Sequence, residues 1–209
     1  MKDMFDEAMV FAASKHKNQM RKISGLPYIV HIFDVVQILV ENGASENALI
    51  AGALHDTVED TKTNLQEIVE KFGVEIAYMV DVLTENKMMP YEYRKSLQAV
   101  KVKNASREIK MVKCADLLAN MRSLNQELKD YGDIWKGFNA PKAEIGKHHK
   151  EMINSIKELH GMPMYEEVMG IYNSIFETEQ LVIDSSAYEP VFPEVLAEEN
   201  IQPCGFTKE

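Results

Sequence analysis

ALHDTVEDT, residues 53–61, places a histidine, three acids and two threonines within nine positions. Just before it stands the small apolar run Ala48–Leu54, and soon after it comes NLQEIVEKFG, residues 64–73. His55 and Glu59 are four apart, as are Asp56 and Asp60, and Glu59 follows Asp56 by three. On one continuous helix that spacing stacks all four side chains along one broad side of its end. Acidic groups and an imidazole held so close repel or perturb one another unless a cation holds them. The ordinary alternative is an acid-rich solvated turn, but the apolar run directly before His55 argues against a solvated face.

Working outward, the pattern is helical nearly throughout. Ala8, Met9, Ala12 and Ala13 form one stripe, with Phe5 and His16 in line. Ile32, Val35, Val36 and Leu39 repeat at i, i+3, i+4 and i+7 before a stop at Gly43. Ser45 is an N-cap for the helix running into ALHDTVEDT. Thr63 and Gln66 have capping-box spacing, and the helix they open ends at Gly73. Further helical stretches begin at residues 74, 90, 107, 141 and 164. Alternating strand patterns and Gly-rich phosphate loops are absent, so the fold class is all-α. A short hairpin around residues 99–108 or in the tail is the exception allowed.

The chain is 209 residues with 45% hydrophobic and 27% charged residues, enough for one domain with a sizeable core. Its longest apolar run is too short to cross a bilayer. The N-terminus lacks the basic-then-apolar order of a signal peptide. Cys114 and Cys204 form no CxxC pair and suggest no disulfide framework. The location expected is cytoplasmic. A net charge of −10 argues against nucleic acid as partner. Residues 181–209 hold six acids against one base, with Pro190, Pro193 and Pro203 and no helical period. They read as an acidic tail, poorly structured or docked, appended to a domain spanning residues 1–180. A homo-oligomer is compatible with the sequence.

A cation at His55 and Asp56 needs further ligands. His31 begins an apolar helix and points inward, where a lone histidine is more often a hydrogen-bonded core residue. Asp116 lies in the apolar helix KMVKCADLLANM, residues 110–121, where an unpaired buried carboxylate is costly. Lys113, three residues earlier, is its ordinary partner. Together His31, His55, Asp56 and Asp116 make a set of two imidazoles and two carboxylates. Such a set suits Mn²⁺, Fe²⁺ or Mg²⁺ and leaves positions open for water and phosphate.

RKISGLPYIVHI (residues 21–32), ALHDTVEDT, LTENK (83–87) and KMVKCADLLANMRSL (110–124) resemble, in order and spacing, the hydrolase domain of RelA/SpoT-type alarmone enzymes. The likeness is greatest to the single-domain small alarmone hydrolases and runs from about residue 3 to residue 160. It implies the HD-domain fold, one Mn²⁺, and removal of the 3′-pyrophosphate from guanosine tetraphosphate or pentaphosphate, without synthetase activity. It makes His31, His55, Asp56 and Asp116 the metal ligands and assigns Glu59 and Asp60 to the attacking water. Arg21 matches an arginine that stacks on guanine, and Lys22 adds charge beside it. Asn120 matches a ribose-contacting asparagine, and Ser123 stands where the family often has threonine at the base. Lys87, Arg94 and Arg122 are phosphate contacts on this reading, or else ordinary surface cations. Lys15, Lys17, Arg21 and Lys22 gather positive charge locally in an acidic chain, as binding a polyanionic nucleotide requires.

The sequence departs from the family pattern in two places within the domain, and its tail after residue 180 has no counterpart in the shortest relatives. Leu117 and Ala119 replace an arginine and a histidine. KHHK, residues 147–150, stands where single-domain relatives carry a tyrosine near the phosphates; either His148 or His149 takes that role or the role is lost. Two other readings stay open: a phosphohydrolase of the same fold acting on another nucleotide such as NADPH, and a non-catalytic alarmone sensor. Intact Glu59 and Asp60 count against the sensor.

Overall fold

A computed structural model of the chain describes residues 3–177. The domain boundary read near residue 180, the tail 181–209 and Cys204 all lie outside the described residues. Within them the secondary structure is helical, and the only β feature is an isolated bridge between Met20 and Pro27. The hairpin allowed around residues 99–108 does not form. Residues 99–103 complete α6 (Tyr91–Lys103), and Ser106 caps the next helix by accepting from the Ile109 backbone N–H.

That next helix, α7 (Arg107–Tyr131), is the centre of the domain. It packs against α2 (Ile29–Glu41), α3 (Glu46–Leu54), α5 (Leu65–Leu83), α6 and α9 (Pro163–Tyr172). On the outside, α1 (Met4–Lys15) lies against α3, and α8 (Lys142–Ser155) lies against α6. Val35, Leu39, Ile50, Leu54, Val112, Leu118 and Met121 form one core with at most 1% exposure each. α2 and α3 approach closely because Gly52 has no side chain. A Cβ there would stand 2.5 Å from Leu39 Cδ1. None of the described helices is long and apolar enough to cross a membrane.

The decisive stretch is not one helix. α3 stops at Leu54, His55 and Asp56 form a turn, and a single turn of helix, α4 (Thr57–Asp60), follows. Asp56 (φ −97°, ψ −5°) departs from regular helical dihedrals, and the Thr57 hydroxyl donates to the Leu54 carbonyl at 2.7 Å. The four chemical side chains are therefore not a single helix face. Adjacent residues on a helix point about 100° apart, and the break is what lets His55 and Asp56 converge.

Two smaller expectations are also corrected. Asn64, not Thr63, caps α5, its side chain accepting from the Glu67 N–H at 3.0 Å. Thr63 is instead bonded to Thr61, hydroxyl to hydroxyl at 2.8 Å. Gly73 does end a helix as read, but a second helix starts at once. Its φ of +88° makes α5 two segments meeting at a kink.

Candidate metal centre and cavity

Three places in the fold bring the proposed ligands together: the first turn of α2, the α3–α4 turn, and the middle of α7. His31 Nε2 lies 3.6 Å from Asp56 Oδ2 and 3.3 Å from Asp116 Oδ1. His55 Nε2 lies 2.9 Å from Asp56 Oδ2 and 3.7 Å from Asp116 Oδ1. His31 is 1% exposed, His55 3% and Asp116 7%. His31, His55 and Asp116 each present one donor atom to a common point.

The donor atoms have the character of cation ligands. His55 Nδ1 is 2.8 Å from the Gly52 carbonyl, which fixes the N–H there and turns the Nε2 lone pair inward. Both nitrogens of His31 and Nε2 of His55 are buried without a hydrogen-bond partner. Buried polar atoms are rarely left so, and a divalent cation satisfies the inward-facing ones at once. The electrostatics agree. Burial disfavours a charged His55, but Asp56 and Asp116 outweigh it and raise the imidazole well above its usual range. Burial also opposes ionisation of Asp56, which His55 reverses, holding the carboxyl well below normal. At Asp116 burial is outweighed by Lys113, His31 and His55 in the same direction. The residues present fit a divalent metal.

Asp116 has two further partners on α7. Lys113 Nζ donates to Oδ2 at 2.8 Å, and Asn120 Nδ2 donates to Oδ1 at 2.7 Å. Lys113 is thus a partner of Asp116, as its spacing allowed, while Asp116 still faces both histidines. Arg21 Nη2 donates to Asn120 Oδ1 at 3.2 Å, linking the α1–α2 loop to the ligand cluster. That loop is held by Arg21 N–H to Leu26 O at 2.8 Å and Tyr28 N–H to Gln19 O at 2.9 Å.

Glu59 and Asp60 lie beside the cluster on α4. Glu59 Oε2 accepts from the Glu85 backbone N–H at 2.9 Å, and burial raises its carboxyl above the usual range despite that bond. Asp60 Oδ2 accepts from Gln19 Nε2 at 2.9 Å. Lys87 pairs with Asp60 and stands 3.5 Å from Glu59 Oε1. It is engaged by the two carboxylates rather than reaching freely for a ligand.

A cavity of about 500 Å³ opens over these groups. Asp56, Glu59, Asp60, Asp116, Arg21, Lys22 and Asn120 line it. So do His148 and His149 of α8. Lys22 Nζ donates to Asn139 at 3.1 Å at the exposed rim. Arg122 and Ser123 do not line the cavity. Arg122 forms a two-pronged pair with Glu167 at 2.6 Å, and the Ser123 hydroxyl bonds Glu127 at 3.2 Å. Arg94 is turned to Glu85 at 3.5 Å and stacks over Tyr91.

Two contributors are not evident from the sequence pattern. Tyr28 donates its hydroxyl to Asp56 Oδ2 at 2.6 Å. Burial and then Asp56 push the Tyr28 phenol far above its usual range, so it stays a donor. His16, in line with the apolar stripe of α1, is 1% exposed. It stacks on Tyr28 at 5.1 Å and contacts Gln19 Oε1 through Nδ1 at 2.7 Å. The available signal for Tyr28 is its position three residues before His31, one turn away at the head of α2. For His16 it is alignment with the stripe of α1.

The chain is similar to known proteins in sequence and in fold. The HD-domain family profile matches residues 8–137. The human guanosine-3′,5′-bis(diphosphate) 3′-pyrophosphohydrolase MESH1 is 42% identical over 123 residues, 57% of this chain and 69% of that one. Its Drosophila melanogaster counterpart is 33% identical over 142 residues, 63% of this chain and 79% of that one. A solved metazoan ortholog of SpoT, described as hydrolysing ppGpp, superposes with a TM-score of 0.69 at 26% identity, covering 83% of this chain and 96% of that one. With its paired histidines and aspartates at the junction of α2, α3 and α7, the chain belongs to the HD-domain family and, within it, to the group of the MESH1 proteins.

Proposed function

We propose that this protein hydrolyses the 3′-pyrophosphate of guanosine tetraphosphate and pentaphosphate, releasing GDP or GTP and pyrophosphate, and has no synthetase activity. The observation that carries the reading is the buried cluster of unpartnered imidazole nitrogens facing Asp56 and Asp116 beside a 500 Å³ cavity. The named activity of the MESH1 relatives supports the substrate.

His31, His55, Asp56 and Asp116 hold the metal, which on this reading is Mn²⁺, since the donors are nitrogen and oxygen with no thiolate. Bound there, the ion supplies Lewis acidity toward phosphoryl oxygen and makes water a better nucleophile. Tyr28 orients Asp56, while Lys113 and Asn120 orient Asp116. Glu59 and Asp60 manage the proton of the attacking water. Glu59 suits the task because burial raises its carboxyl toward working pH. Lys87 bridges the two carboxylates and fixes their separation. Arg21 stacks on the guanine, and Asn120 takes the ribose. Lys22 adds positive charge for the phosphates, and Lys87 reaches them only after leaving Asp60 and Glu59. Arg122 and Ser123 contact ligand only after leaving Glu167 and Glu127. The hydrolase domain is residues 1–180 with the acidic tail 181–209 appended, and the location is cytoplasmic.

The test is a substrate panel: guanosine tetraphosphate, its adenosine analogue and NADPH, each with Mn²⁺, with pyrophosphate and phosphate both measured. Pyrophosphate release fastest from guanosine tetraphosphate supports the reading. Faster phosphate release from NADPH replaces it with another phosphohydrolase, and tight binding without turnover makes the protein a sensor.

A further inference from the structure

We propose that Glu92, Glu144 and His148 form a second divalent-cation site, on the α6–α8 side of the cavity. Glu144 and His148 lie one turn apart on α8, and Glu92 lies in the first turn of α6. One donor atom from each falls within 4.8 Å of the others, and His148 Nε2 is 4.0 Å from Glu144 Oε1.

Acids in the first turn of a helix are commonplace, because they complement the helix dipole. That accounts for Glu92 and Glu144 separately. It does not account for their convergence on a buried nitrogen. The His148 side chain is only 5% exposed, and its Nε2 is buried with no hydrogen-bond partner. The other ring nitrogen, Nδ1, contacts Glu151 Oε2 at 3.2 Å. A carboxylate on Nδ1 fixes the N–H there and leaves the Nε2 lone pair facing two more carboxylates. This is the arrangement by which an outer carboxylate orients a metal-ligating histidine. Tyr91 holds the ring from its edge, centroid to centroid at 5.4 Å.

One imidazole and two carboxylates suit Zn²⁺ or Mn²⁺. Ligand atoms about 2.0–2.2 Å from such an ion must draw slightly closer than they now stand, and the exposed Glu92 is free to swing in. Three protein ligands leave at least one position open. His148 itself also lines the cavity. The site is independent of the reaction proposed above and is read out by metal binding alone.

The experiment is calorimetric titration of the metal-depleted full-length protein with Zn²⁺, with metal content measured after gel filtration. Two equivalents per chain are expected, the second weaker than the first. Glu92→Gln, on an exposed side chain that leaves the fold intact, weakens only the second site, by tenfold or more. His148→Gln removes it, with helix content followed by circular dichroism. In His31→Ala the equivalent that survives is the one Glu92→Gln weakens. A single equivalent in the wild-type protein overturns the proposal, as do two equivalents that neither variant touches.

Discussion

Tyr28 shows how much a side chain outside the proposed ligand set can contribute. Its hydroxyl reaches Asp56 at 2.6 Å, and its ring packs edge-on against His31 at 5.4 Å. Tyr28→Phe keeps the packing and removes the hydrogen bond. Loss of an outer partner of this kind costs roughly 10–100-fold in metal affinity, to be measured by competition with a metal-binding dye. Unchanged affinity makes the hydroxyl dispensable. Glu59 and Asp60 are separable from the ligands by a different signature. Glu59→Gln and Asp60→Asn retain size and polarity, so kcat is expected to fall on the order of 10²–10⁴-fold with little change in substrate affinity. Weakened binding at normal kcat assigns the pair to recognition instead. Cys114, two residues before Asp116, has no part in this chemistry: burial pushes its thiol up to about 12.

At the scale of elements, the kink in α5 and the break after α3 do the positioning. Gly73 adopts φ +88°, ψ 167°, a region other residues avoid, and a Cβ placed on it would meet no atom within 4 Å. Gly73→Ala is therefore a pure backbone test. It is expected to lower stability by about 1–3 kcal/mol, seen as a lower urea midpoint at constant slope; an unchanged midpoint means the kink relaxes freely. That kink is legible in the sequence, because a glycine closing an apolar helical period is a stop signal. Most helices are legible for the same reason: Ile32, Val35, Val36 and Leu39 repeat with the helical period and are all buried. The break at His55–Asp56 is not. No glycine or proline marks it, His55 keeps helical dihedrals (φ −54°, ψ −36°), and the break shows only in the structure, in Asp56 (φ −97°, ψ −5°) and in the Thr57 hydroxyl donating to the Leu54 carbonyl. Spacing tells which side chains are near one another, not which way the chain turns between them. Substrate contacts are less legible still, since Arg122 and Ser123 lie on α7 beside Asn120 in sequence but turn toward Glu167 and Glu127.

At the scale of the whole molecule, pH acts through groups that fold into the cavity wall. His149 is partly buried on α8, with Nδ1 bonded to the Ile145 carbonyl at 2.7 Å and its ring stacked on Phe176. Burial, with Lys95 and Lys113 nearby, lowers its pKa to about 4. Unfolded, the same imidazole takes up a proton near pH 6.5. Between those values the unfolded chain binds the extra proton, so the stability His149 contributes is complete above about pH 6.5 and is lost as pH falls toward 4. For a partly exposed ring the loss is on the order of 1–2 kcal/mol. Urea unfolding at pH 7 and pH 5 checks this: His149→Gln reduces the difference between the two, and an unchanged difference places the acid sensitivity elsewhere. The cavity that His149 lines is the one that Asp56 and Asp116 also line, so folding and chemistry share one set of helices.

The claim on which the rest depends is that hydrolysis requires a divalent cation at His31, His55, Asp56 and Asp116. It is tested most directly by following pyrophosphate release from guanosine tetraphosphate before chelation, after removal of the chelator, and after return of Mn²⁺. Activity lost on chelation and restored by Mn²⁺ in the wild-type protein, but not restored in Asp116→Ala of normal helix content, is the predicted result. Full activity in the metal-stripped protein, or in Asp116→Ala, contradicts it.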